Sequence, residues 1–129
     1  MSIGKSVYFL LSNSSGVTDI ISTKIFPSRI PQVEDFPAIS YHQISNVPTN
    51  QKDAVSGFDK VDFDINLWSK DYSQINTLAA AVRAALDRKS ISSQGVTVDT
   101  IVFVRELDDY SDPAEIYKKI LQFQFIVIR

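Results

Sequence analysis

Residues 58–86 read FDKVDFDINLWSKDYSQINTLAAAVRAAL, and two periodicities meet in them. Val61, Phe63, Ile65 and Leu67 alternate with Asp62, Asp64 and Asn66, the period of two that puts apolar groups on one strand face and polar groups on the other. Ile75, Leu78, Ala79, Val82 and Leu86 then recur at helical spacing and make one apolar stripe. Asp71 followed by Gln74 has the form of a capping box, which starts the helix there. The link Ser69–Tyr72 is short, so the helix folds back on the strand and each stripe buries the other. This strand, turn and helix are the expected core.

Upstream, Ala38–Ile44 reads as a strand carrying Ile39, Tyr41 and Ile44. The polar segment 46–57, NVPTNQKDAVSG, is long for a hairpin connection and is expected to be a mobile loop. Gly4–Leu11 reads as a short helix, stopped by Asn13-Ser14-Ser15-Gly16, and Val17–Ser22 as a second helical turn. Lys24-Ile25-Phe26 is extended because Pro27 follows, and residues 28–36, broken by Pro31, read as an irregular crossing. Downstream, residues 90–95 read as a flexible link, and Asp112-Pro113-Ala114-Glu115 as a capped helical turn. Val96–Leu107 and Ile120–Arg129 read as strands with apolar residues at both parities, as in strands covered on both faces. The sum is one α+β domain over residues 1–129. It is a four-stranded, mainly antiparallel sheet with one long helix, Ser73–Leu86, and a short N-terminal helix packed on one face. Two helices leave apolar residues over on the other face, and part of that surface is expected to be an oligomer contact.

Composition narrows the function classes. The chain has 129 residues, 44% hydrophobic and 22% charged, with a formal net charge of −2. Lys and Arg are scattered, so no stripe for gripping a phosphate backbone is visible. The absence of Cys removes disulfides, thiolate nucleophiles and thiolate metal sites together. Near the N-terminus the apolar run is only Val7–Leu11, without a cleavage pattern, and nothing approaches the ~20 apolar residues of a membrane span. The chain reads as soluble and intracellular.

Candidate sites are few. His42, the single histidine, has no nucleophile motif beside it and reads as a strand-surface residue. Glu106, Asp108, Asp109 and Asp112 are the densest acidic cluster. Their spacing fits no calcium loop, so they read as a solvated turn, with an enzyme using a divalent metal there as the distant rival. The four glycines form no phosphate loop, and no cofactor is expected. Asp62 and Asp64 are either the ordinary wet side of the core strand or face an aqueous lumen. Phe58, Trp68 and Tyr72 flank the ends of that strand and either cap the core or anchor a protein partner.

The order of features resembles a known family. It runs from Ile25-Phe26-Pro27 and Pro31-Gln32 through Phe36-Pro37-Ala38-Ile39-Ser40-Tyr41 to Val61-Asp62-Phe63-Asp64-Ile65-Asn66-Leu67-Trp68 and the Tyr72–Leu86 helix. It closes with Asp112-Pro113, Tyr117 and Leu121-Gln122-Phe123-Gln124-Phe125. From about Ile25 to the end, the chain is similar to the tail completion, or tail terminator, proteins of long-tailed bacteriophages, including the tail-to-head joining proteins of siphophages. The resemblance implies a non-catalytic virion protein, assembled in the host cytoplasm. It would form a ring, typically a hexamer, that caps the head-proximal end of the tail tube, stops its polymerisation and joins it to the head connector. The implied partners are further copies of the chain, the tail tube protein and the head-completion or connector protein, with DNA passing through unbound and no membrane. On that reading Phe58, Trp68 and Tyr72, with Gln51, Lys52 and Asp53 of the long loop, are subunit or tube contacts, and Asp62 and Asp64 face the lumen. The alternative is a small non-viral α+β adaptor or oligomerisation domain without catalytic activity.

Overall fold

The computed structural model of the chain describes residues 3–22, 24–27, 36–50, 55–93, 96–111 and 116–128. Helices α1 (Ile3–Ser12) and α2 (Ser15–Ile21) lead into β1 (Ile25–Pro27), β2 (Ala38–Asn50) and β3 (Val55–Ser69). Helix α3 (Tyr72–Leu86) follows, then β4 (Ile91–Ser93), β5 (Val96–Ser111) and β6 (Ile116–Ile128). The strands form one curled sheet in the order β1-β2-β3-β6-β5-β4. Only the β1–β2 pair is parallel. The last strand thus inserts between β3 and β5, which run parallel to each other with α3 connecting them.

The expected core forms as read. Val61, Ile65 and Leu67 have no exposed surface and Phe63 has 2%, against Ile75, Leu78, Ala79, Val82 and Leu86 of α3. Burying these side chains stabilises the unit by roughly 1.5–3 kcal/mol each. Helices α1 and α2 extend the cover through Val7, Leu11, Val17 and Ile21.

Three expectations are corrected. Among the described residues the sheet has six strands and there are three helices, not four strands with one long and one short helix. The two added strands, β1 and β4, are three-residue edges, too short to carry a period. Next, residues 46–50 and 55–57 of the expected loop belong to the β2–β3 ladder, which still pairs Asn50 with Val55. Last, the two apolar parities of β5 do not mean cover on both faces. The register slips between Val98 and Thr100 and again between Phe103 and Arg105. Each extra residue inverts the alternation, so Val98 and Ile101 are both buried on the helix side while Val104 is 53% exposed. The helical turn expected at 112–115, and residues 28–35 of the irregular crossing, lie outside the described residues.

Candidate functional site

The helices cover one face of the sheet; the other is open, and cross-strand register sorts its side chains into rows. Trp68 lies between Ala38 and Lys118; Asn66 between Ser40 and Ile120, with Leu107 next to Ile120; Asp64 between His42 and Gln122; Asp62 between Ser45 and Gln124; Lys60 between Val47 and Ile126; and Phe58 beside Ile128. The middle two rows are polar and the flanking rows largely apolar. In the middle, Ser45 Oγ donates to Asp62 Oδ2 at 3.0 Å and Gln124 Nε2 to Asp62 Oδ1 at 3.3 Å. Arg105 Nε donates to Gln122 Oε1. Asp64 Oδ1 is buried without a hydrogen-bond partner among the described residues. These residues floor a trough of about 360 Å³ walled by Ile44 on β2 and Val104 on β5. Asp62 and Asp64 therefore face one polar channel across the sheet. A polar row in which a hydroxyl and an amide hold Asp62, and Arg105 holds Gln122, suits a wetted or partner-facing surface.

The acidic cluster proves to be half of an ion-pair site. Lys119 on β6 is 5% exposed, with Nζ 2.6 Å from Asp108 Oδ1 and 3.5 Å from Glu106 Oε2. Burial alone lowers the Lys119 ammonium, but the Asp108 hydrogen bond and the charges of Glu106 and Asp108 outweigh it and hold it above the usual lysine value. Asp109 Oδ1 accepts from the Tyr110 backbone N–H at 2.8 Å. Two of these carboxylates thus already have a cation, and no group of three or more His, Asp or Glu able to hold a metal exists among the described residues. Asp112 lies outside them. Above Lys119 is a cleft of about 500 Å³ lined by Tyr72, Ile75, Asp108, Tyr110 and Tyr117. Tyr117 stacks between Tyr72 and Tyr110, with ring centroids 5.4 and 4.8 Å away.

The three aromatics singled out in the sequence do not form one patch. Phe58 and Trp68 share the open face but are ten residues apart on β3, roughly 33 Å at about 3.3 Å per residue. Trp68 is half-buried against Phe36, with the Lys118 ammonium 4.6 Å over its ring, whereas Phe58 is 40% exposed. Tyr72 starts α3 on the opposite face and is 59% exposed. His42 is exposed, level with Asp64. Gln51, Lys52 and Asp53 lie outside the described residues. Sequence reasoning missed Lys119, the tyrosine trio and the walls Ile44 and Val104. For the walls a signal existed: broken parity within a strand also marks a bulge.

A family described as "Tail completion protein gp17" matches residues 5–128. No match was found among curated protein sequences. Among solved structures, a chain from the "Virion of native gene transfer agent (GTA) particle" superposes with a TM-score of 0.82, at 18% identity over 95% of this chain and 92% of that chain. A second solved chain matches with a TM-score of 0.64, at 13% identity over 100% of this chain and 97% of that one. At these identities the likeness is one of fold.

Proposed function

The chain belongs to the tail completion protein gp17 family, a phage tail structural family, and from that premise we propose that it forms the ring closing the head-proximal end of the tail tube. The ring stops tube polymerisation and carries the head connector on its other side. The observation carrying this reading is the family match across residues 5–128. The fold shared with a chain of a virion particle supports it. So does the surface: no basic stripe appears in the sequence, and the open face carries Asp62 and Asp64 in a polar row, suited to a lumen that DNA traverses without being held.

The two ends of the sheet then meet different partners. Phe58 and Ile128 stand at one end of the sheet. Tyr72, Tyr110 and Tyr117 stand at the other. Tube protein takes one end and connector protein the other, in a structural rather than catalytic role, with assembly in the host cytoplasm.

Native mass measured over a concentration series, with electron microscopy of the largest species, tests this. A ring of one stoichiometry with a central hole, and a cap on purified tail tubes, is the expected result. A closed dimer at every concentration overturns it and favours the adaptor.

A further inference from the structure

The sheet leaves two long strand edges without partners among the described residues. Strand β1 covers β2 only at Ile39–Tyr41, so the β2 edge is open from His42 onward. Strand β4 covers β5 only at Val96–Val98. The turn after α3 covers a little more, because Arg88 N–H donates to Ile101 O at 2.8 Å and Asp87 Oδ1 accepts from Phe103 N–H at 3.1 Å. From Val104 to Asp109 no further strand pairs with the β5 edge among the described residues. Such edges are templates for pairing with another chain, and proteins usually blunt them with lysine or proline. Here His42–Val47 and Val104–Ser111 contain neither, although each carries a bulge and the second holds the charged Arg105, Glu106, Asp108 and Asp109. Instead they carry Ile44, Val47, Val104, Leu107 and Tyr110, all between 41% and 55% exposed.

We infer that the His42–Val47 edge of one copy pairs antiparallel with the Val104–Asp109 edge of the next copy, so that ring assembly joins successive subunits into a continuous sheet. This rests on the ring reading above and names the contact that makes it. Direction is settled first. Three antiparallel pairings separate β2 from β5, so the two strands run opposite ways. Rotation about a ring axis preserves that sense, and β2 meets the neighbour's β5 antiparallel. The contact is head-to-tail, as a ring requires.

Register follows from the backbone. On β2 the Ile39 N–H points outward, to Lys24 O at 3.0 Å, so alternation turns Tyr41 and Gln43 outward too. The bulge between Gln43 and Ser45 then passes that role to Asn46. On β5, Ile101 and Phe103 face outward, and the bulge between Phe103 and Arg105 passes the role to Glu106 and Asp108. Setting Gln43 against Asp108 and Asn46 against Glu106 matches every outward group, and the two bulges compensate each other. The side chains then match as well. His42 meets Asp109, Ile44 meets Leu107, Val47 meets Val104, and two amides meet two carboxylates. Pro48, which has no N–H, ends the seam.

The same register sets the offset between copies. Asp109 lies level with Ala38 within one copy, so pairing it with His42 of the neighbour offsets the copies by four residues, roughly 13 Å at about 3.3 Å per residue. Four strands at about 4.8 Å spacing with a 13 Å offset tilt by roughly 35° from the ring axis, within the range of closed barrels.

The chain has no cysteine, which makes the test clean. Ile44→Cys combined with Leu107→Cys places two thiols across the seam at exposed positions, 51% and 41%, where folding is unaffected. Oxidation is expected to give a covalent ladder ending at the mass of the native ring, whereas Val47→Cys with Asp109→Cys, out of register, gives none. A ring in native mass without a ladder overturns the seam and leaves the ring reading standing. A ladder without a closed end supports the seam and overturns the ring. Disulfide dimers from either single variant, with a dimeric native mass, overturn both. A monomer without crosslinks at the highest attainable concentration overturns the seam as a self-sufficient contact.

Discussion

Lys119 lies 5% exposed between Asp108 and Glu106, whose side chains keep 69% and 43% of their surface. Removing the lysine leaves two carboxylates that water already reaches, while removing the carboxylates leaves a buried ammonium without a counter-charge. Lys119→Met is therefore expected to change stability by less than about 1 kcal/mol, and Glu106→Gln with Asp108→Asn to cost about 1–3 kcal/mol, a range discounted for solvent screening. Urea denaturation of both variants measures this; equal losses would show that the pair acts only through packing. The pH dependence has a definite sign. The folded value of Lys119 is raised above the ordinary 10.5, so its contribution is fully present below that value and is lost as pH rises through the higher folded one. Tyr41, held above 10.0 by burial and then by Tyr8, loses its contribution in the same alkaline direction. The difference between the parent chain and Lys119→Met isolates the lysine: the variant's stability should fall less steeply above pH 10.5. Trp68, packed on Phe36 and under Lys118, is part of the fold before it is part of any contact. Trp68→Ala is expected to cost about 1–3 kcal/mol, below the about 3–5 of a fully buried tryptophan because the ring is only partly buried. Thermal unfolding reads it directly, and an unchanged midpoint would return Trp68 to the list of pure contact residues.

At the level of the element, the start of α3 differs from the simple box its sequence suggests. Asp71 Oδ1 accepts from Ser73 N–H at 3.0 Å, as a cap should. Gln74, however, does not reach back to the Asp71 N–H. Ser69 stands between them: its Oγ accepts from Asp71 N–H at 3.0 Å and donates to Gln74 Oε1 at 2.8 Å. Ser69 is fully buried, so Ser69→Ala strands two polar groups at once and is expected to cost about 1–2 kcal/mol, whereas Gln74→Ala costs less than about 1. Chemical denaturation ranks the two, and the reverse order would mean that Gln74 caps the helix directly. The helix itself was legible because the stripe from Ile75 to Leu86 has one period and one partner. Strand β5 was only partly legible. Its bulges at Asp99 and Val104 exist relative to the pairing with β6, and pairing partners are not written in local sequence.

On the scale of the whole molecule, the open sheet face and its two free edges divide the labour of fold and assembly. Because Ile44 is 51% exposed, Ile44→Lys is expected to leave stability within about 0.5 kcal/mol of the parent chain while abolishing the ring. Native mass with a parallel thermal melt checks both halves, and a lysine variant that still forms the ring would remove Ile44 from the contact. The candidate surface was half legible from the chain. The shared parity of Asp62 and Asp64 follows from strand alternation alone, and both line the trough. Phe58, Trp68 and Tyr72 flank one strand in sequence, yet proximity to the ends of one strand is not proximity in space.

What the sequence determined by itself is everything governed by short-range period and local stereochemistry: the buried faces of β3 and α3, the helix start at Asp71, the short α1 and the order of features that marks the family. Tertiary structure alone decided the rest. Insertion of β6 between β3 and β5, the bulges in β2 and β5, the neutralisation of an acidic cluster by Lys119 and the length of each free edge all depend on which strand lies beside which. Those are contacts between residues far apart in the chain, and their free energy is settled only when the whole sheet has closed around its core.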